Sequence, residues 1–378
     1  MTWRRLLAIA RKELIQIWRD GRSLGIALFM PIMQMGLIGY GASLDVKHVP
    51  VCTSDREGSQ RSQDLLKRFQ ASEYFDLIER VTDDRALIAA IDAGRCRLAL
   101  VIPTDFSERL RDASASTVQA IVDGTDDNTA NVAIAYAQAV VTSYSAEVRL
   151  DFLSRQGLAS QAVPPLSVES RVWFNEDLES RAFIIPGVVA LVMALIGALL
   201  SSLTIAREWE RGTMEQLIST PVRPLEIMLG KLLPYFAIGL LDALLCVSIA
   251  VGWFGVPFRG TYTMLFATTA LFLVVVLGVG YIISVWSRNQ LGASQIALLV
   301  TLLPTTLLSG FAFPIDQMPM PIRLLTYAIY PRYYVTILKA LFLKGAGPWS
   351  LATPILALTA YAVVIGVLAT RTFRKQLG

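Results

Sequence analysis

The stretch REWERGTMEQLISTPVRPLEIMLGK, residues 207–231, carries four acids and four bases, while the runs beside it, 182–206 and 232–241, carry no charge. A membrane chain needs only a few residues to turn around, so a charged segment of 25 residues is more than a connection. Its punctuation is that of a broken helix. Gly212 can stop a helix arriving from the preceding apolar run. Thr213 followed by Gln216 has capping-box spacing, which starts a new helix by satisfying free backbone N–H groups. That helix presents Met214, Leu217 and Ile218 until Pro221 blocks it, and Pro224 suits the first turn of the next one. A short transverse helix at the membrane surface is expected, with Glu208, Glu210 and Arg211 clustered at its start. A stiff linker with solvated charges is the plainer reading.

Of the 378 residues, 54% are apolar and 17% charged, against roughly 25% charged in soluble domains. The deficit lies in uncharged runs at 24–44, 182–206, 260–287, 289–315 and 345–370, and at 232–258, interrupted only by Asp242. Each exceeds the roughly 20 residues that cross about 30 Å of hydrocarbon. The expected fold is therefore a polytopic α-helical membrane protein with six spanning helices. The net charge of +4 divides unevenly, −7 over 45–182 and +11 over the remainder. Basic residues gather at 4–22, in 207–231 and in the tail 371–378. Positive-inside bias makes these three segments cytoplasmic, with both termini inside the cell and the acidic insert outside the inner membrane of a bacterial cell. Basic residues placed beside spans also argue against nucleic acid as a partner. One segment runs against the bias: 314–349, with Arg323, Arg332, Lys339 and Lys344, falls on the outer side.

Residues 1–22 repeat apolar side chains at Trp3, Leu6, Leu7, Ala10, Leu14, Ile17 and Trp18 with basic residues between them, the pattern of an amphipathic interfacial helix. Glu13 and Asp20, ahead of a run of spanning length, argue for an uncleaved first span at 23–44. The insert at 45–181 alternates short strands, expected at 49–53, 75–81, 98–102 and 118–122, with helices at 60–69, 84–91, 106–111 and 128–153. It reads as an extracytoplasmic α/β domain with a largely parallel sheet, closed by a linker at 155–165 and a strand at 167–174. Its acidic stretch 122–131 fits turn and helix-capping roles better than a metal loop. Cys52 and Cys96 can pair in an oxidising compartment or stay free. The rest, 182–370, reads as a bundle of five spans. Its apolar pieces on either side of Pro331-Arg332 are too short to cross, so 314–349 is expected to be a re-entrant or interfacial hairpin outside, belted by Tyr327, Tyr330, Tyr333, Tyr334 and Trp349. Pro31, Pro186, Pro234 and Pro304 lie inside apolar runs, where kinks serve either helix rearrangement or static packing.

Catalytic chemistry is hard to place in this chain. No His, Cys and acid cluster has metal-ligand spacing, no resident cofactor is implied, and His48, the single histidine, reads as a surface residue. A phosphate-binding loop is missing too: Gly230-Lys231 is followed by Leu232, and position 225 is Leu where a Gly is required. Asp242 is the one charge within a span and so a possible intramembrane polar site, either a substrate or proton group or a polar helix contact.

Several stretches together resemble the permease subunits of ABC-2 type exporters, in the subgroup with one span, a large external domain and then five spans. They are the amphipathic "elbow" at 3–18, PVCTSD (50–55) with LVIPTDF (100–106), FIIPG (183–187), AREWERGTMEQLISTPV (206–222), and LLSGFAFPIDQMP (307–319) leading to PRYY (331–334). The similarity runs nearly end to end, and AREWERGTMEQL is its most specific part. It implies that 207–231 is the coupling helix region that docks on a separate cytoplasmic ATPase subunit, which binds the ATP. Glu208, Glu210, Arg211, Thr213, Met214, Glu215 and Leu217 would belong to that contact. It implies a homodimer, or a heterodimer with a paralogue, exporting a hydrophobic or amphipathic cargo such as a drug through the lipid bilayer, with a periplasmic adaptor as a further partner. A membrane receptor with a ligand-binding ectodomain is the alternative from another class.

Overall fold

Without water to satisfy it, backbone inside a bilayer must pair its own N–H and C=O groups, and each apolar run of this chain is helical over most of its length. The computed structural model describes residues 3–41, 47–111, 116–155 and 180–372, without the side chains of 22–24, 26, 127–128 and 217–218. The expected linker 155–165, the strand at 167–174 and the last residues of the tail lie outside the described residues. Two compact units form, one from residues 1–43 and 172–378 and the other from 44–171.

The chain begins with α1 (Trp3–Arg19), separated by Asp20 from α2 (Gly21–Gly41). Helix α1 buries Leu6, Ala10, Glu13 and Ile17, a stripe at helical spacing, and leaves Trp3, Leu7, Leu14 and Trp18 exposed. An acid therefore sits in the buried stripe of a basic amphipathic helix.

The unit 44–171 is a four-stranded sheet in the order β2-β1-β3-β4, built from β1 (Val49–Asp55), β2 (Phe75–Arg80), β3 (Leu98–Ile102) and β4 (Gln119–Val122). The first three strands are parallel, and β4 pairs antiparallel with β3. Between them run α3 (Gln60–Gln70), α4 (Asp84–Asp92) and α5 (Phe106–Arg111), followed by α6 (Asp127–Arg155). Alternation along β3 sorts its side chains onto two cores: Leu98, Leu100 and Ile102 pack with α3 and α6, while Ala99 and Val101 pack with α4. A disulfide joins Cys52 to Cys96 on the α4 side, across a Cα–Cα distance of 5.7 Å.

The other unit continues with α7 (Ser180–Glu210), α8 (Met214–Ser219), α9 (Pro224–Gly252), α10 (Tyr262–Ser287), α11 (Gln290–Leu308), α12 (Met320–Thr326), α13 (Tyr330–Lys339) and α14 (Ala352–Thr372). Among the described residues five helices are long and apolar enough to cross a membrane, α7, α9, α10, α11 and α14, and α2 adds the shorter apolar stretch Ala27–Gly41. Helix α7 is the mast: α2, α9, α10, α11 and α13 all pack on it, and nearly its whole surface is buried. Helices approach closely where a glycine removes the side chain. A Cβ on Gly197 would lie 2.7 Å from Val276 Cγ1, and one on Gly239 would lie 2.7 Å from Leu273 Cδ2. Small residues at crossings are how helices gain contact in lipid, where neighbouring acyl chains are as apolar as leucine. The segment after α11 holds α12 and α13 in place of a span. Tyr334 of α13 stacks on Phe272 with ring centroids 4.0 Å apart, and its hydroxyl shares a 2.8 Å hydrogen bond with Thr269.

The tightest crossing is at Gly280, whose added Cβ would meet Ser201 Oγ and stand 2.6 Å from the Ala198 carbonyl. Gly280→Leu should cost about 1–3 kcal/mol or more and lower the thermal midpoint of the detergent-purified chain. Gly366→Leu, at a site with nothing within 4 Å, should leave it unchanged. Equal midpoints for the two variants would contradict this packing.

Candidate functional site

The turn between α7 and α9 is shaped by two residues with fixed backbone demands. Gly212 adopts φ +67°, open to glycine at little cost, and ends the path of α7. The amides of Arg211, Gly212 and Thr213 then donate to the carbonyls of Arg207, Trp209 and Glu208, each at 3.1 Å, so the last turn of α7 is satisfied. At the other end Pro224 occupies the first turn of α9, and the Glu226 carboxylate accepts from the Arg223 amide at 3.1 Å. Helix α8 lies between, anchored by Met214 in a small apolar cluster with Ile205, Ile227 and Tyr281.

Under this turn lies a group of buried charges. Lys231 of α9 is 1% exposed, Glu13 of α1 2% and Glu208 of α7 4%. The Lys231 ammonium donates to Glu13 Oε1 and, at 2.9 Å, to Glu208 Oε1. The same Glu208 oxygen accepts from Lys12 Nζ at 2.9 Å, and its other oxygen accepts from the Thr213 hydroxyl. Two carboxylates thus face two ammonium groups. Nearby, Arg207 pairs with Asp20 at 3.4 Å, and Arg5 donates to the Pro221 carbonyl at 2.6 Å. Helix α1, the end of α7, the turn and the start of α9 are joined by charge-assisted bonds, of which water hardly reaches those at Lys231, Glu13 and Glu208.

The residues singled out in the sequence divide into two groups. Glu208, Thr213 and Met214 point inward. Thr213 makes no side-chain cap to α8, because its hydroxyl is engaged by the Glu208 carboxylate. Glu210 accepts from the Gln290 amide at 2.7 Å and so caps the start of α11. Arg211 and Glu215 are exposed, together with Gln216, and form the outward face of the turn. The Leu217 side chain lies outside the described residues. Sequence reading overlooked Lys231, Glu13, Lys12 and Asp20 as partners. The available signal was Glu13, an acid in phase with the apolar stripe Leu6, Ala10, Ile17.

Elsewhere, Asp242 is buried in α9 beside Gly197, Gly239 and Leu273, and neither carboxylate oxygen has a hydrogen-bond partner among the described residues. The one group of potential metal ligands among those residues is Cys52, Glu79 and Cys96, whose two sulfurs are already joined to each other.

The chain matches the model of the ABC-2 family transporter protein over residues 23–371. It is 41% identical to the "Probable multidrug ABC transporter permease YbhS" of Escherichia coli (strain K12), over 99% of this chain and 98% of that protein. Identity to the "Probable multidrug ABC transporter permease YbhR" of the same strain is 27%, over 99% of each chain. To its "Inner membrane transport permease YhhJ" identity is 28%, over 87% of this chain and 86% of that protein.

Removing one member of a buried ion group strands the others, typically at about 3–5 kcal/mol. Lys231→Met should therefore sharply lower the thermal midpoint of the purified chain. Adding Glu13→Gln and Glu208→Gln to that variant should recover most of the loss. A triple variant no better than Lys231→Met would show that these charges do not form one unit.

Proposed function

The chain belongs to the ABC-2 family of transporter proteins, and from that membership we propose that its turn at 207–231 receives the motor of an ATP-driven exporter. The chain is the membrane permease subunit; ATP is bound and hydrolysed by a separate ABC ATPase subunit. One observation carries the docking assignment: the turn and α8 offer exposed Arg211, Glu215 and Gln216 on one side, while their other side is tied through Met214, Thr213 and Glu208 to α1, α7 and α9. A push on α8 is thereby passed to three helices together. Family membership decides against the receptor alternative.

The rest of the arrangement follows from the same premise. Helix α2 serves as the sixth span, both termini and the turn face the cytoplasm, and the unit 44–171 lies outside the inner membrane. Helix α1 lies in the interface, with exposed Trp3, Leu7, Leu14 and Trp18 toward lipid. Two permease chains, identical or paralogous, line the pathway, and the short helices α12 and α13 cap its outer end. A periplasmic adaptor would meet the outer unit. The cargo is a hydrophobic or amphipathic compound of the drug class, in line with the multidrug names of the relatives YbhS and YbhR.

Arg211→Glu and Glu215→Lys change only exposed charges, so both variants should insert and melt like the parent chain. Like charges facing each other at an interface cost several kcal/mol. Co-purification of the ATPase, and hydrolysis stimulated by transported compound, should each fall roughly tenfold or more. Undiminished coupling in both variants would refute docking at this face.

A further inference from the structure

Within the unit 44–171, α3, α5 and the C-terminal half of α6 enclose a cavity of about 570 Å3, well inside the roughly 300–1,000 Å3 usual for small-molecule sites. Most of its wall is apolar, with Leu65, Leu110, Val141, Val148 and Phe152 among the lining residues. It lies next to a core that is already closed by Leu66, Phe69 and Phe75, so the space is additional to the packing of the sheet. Tyr144 holds one wall in place, its hydroxyl donating to the Arg61 carbonyl at 3.0 Å.

The charges around the cavity are unbalanced in one direction. The acids of the adjoining clefts are each matched: Asp64 with Lys67 at 3.4 Å, Glu147 with Arg68, and Asp151 with Arg155 at 2.8 Å. Arg149 on the cavity wall, and Arg61 and Arg111 in the adjoining clefts, have no acid partner among the described residues. Arg61 Nη1 and the Ser116 hydroxyl, the latter on the cavity wall, are buried without a hydrogen-bond partner among the described residues. Each such group costs about 1–3 kcal/mol while it stays unpaired, and a bound acceptor would remove that cost.

We propose that this cavity binds an amphipathic anion: an apolar body against Val141, Val148 and Phe152, and one carboxylate or sulfonate held by Arg149 and the Ser116 hydroxyl, both on the cavity wall. A cationic amphiphile would satisfy the walls but meet the surplus arginines. Binding here is a property of the outer unit, independent of what the spanning helices export and of how α8 meets its ATPase.

The full chain in lipid nanodiscs, irradiated with dodecanoate bearing a terminal diazirine and mapped by peptide mass, tests this. Saturable labelling is expected within residues 141–153. Unlabelled dodecanoate should compete with it, and dodecyltrimethylammonium at equal concentration should not. Loss of one charge-assisted contact corresponds to roughly tenfold weaker binding, the effect expected of Arg149→Glu. Ser145→Trp, placed on an exposed wall residue, should block the cavity and abolish labelling at an unchanged thermal midpoint. Labelling confined to the spanning helices, equal competition by the cation, or full labelling of Ser145→Trp would each overturn the proposal.

Discussion

One ammonium group, on Lys231, stands between the carboxylates of Glu13 and Glu208 almost out of reach of water, and the α8 end of the bundle depends on it. Burying an ion costs several kcal/mol even after relaxation, and only close partners offset that cost. The consequence is mechanical. Helices α1, α7 and α9 cannot separate at this end without leaving a charge stranded in the interior. Thr213 extends the same bond network into the turn. A displacement of α8 is therefore passed on to three helix ends, where an unpinned loop would absorb it by bending.

Between Arg181 and Arg207 α7 has no charge and is held by shape. Gly197 against Val276, Gly239 against Leu273 and Gly280 against Ala198 bring α9 and α10 close to α7 or to each other. The hydrophobic effect does little between helices in lipid, so contact area at small residues and a few polar bonds must provide the association. Separation at these crossings forfeits close contact, whereas separation at the charged end also strands ions.

What sequence reading could find followed the range of each rule. Gly212, Pro224 and the apolar runs obey rules that act within a few residues, and the turn and five of the six expected spans stand where those rules put them. The strands at Val49–Asp55 and Leu98–Ile102 announce themselves by apolar content, but the order β2-β1-β3-β4 and the antiparallel β4 are long-range outcomes that no local pattern carries. Thr213 shows a local rule losing to a tertiary one. Its hydroxyl fits a capping box, yet a buried carboxylate attracts it more strongly than a backbone N–H does. The ion group itself lay beyond reach, because Glu13 and Lys231 are 218 residues apart in sequence.

Those commitments also bear on the basic residues of the α12–α13 segment, which run against the proposed orientation. Arg332 lies over the Tyr327 ring at 3.9 Å and donates to Thr326, Lys339 donates to the Gly310 carbonyl at 2.7 Å, and Arg323 pairs with Asp316 at 3.4 Å. Their charge serves the attachment of these short helices to the bundle. The same discount applies on the other side, where Lys231, Lys12 and Arg207 are paired internally as well. Among the described residues beside the spans, uncommitted cations include Arg4, Arg11, Arg19, Arg211 and Arg371 on the side proposed as cytoplasmic, against Arg181, Arg259 and Lys344 on the other. Charge free to interact with lipid headgroups and the membrane potential is what biases insertion. On that stricter count the segment that opposed the orientation nearly falls silent, and the bias supports a cytoplasmic α8.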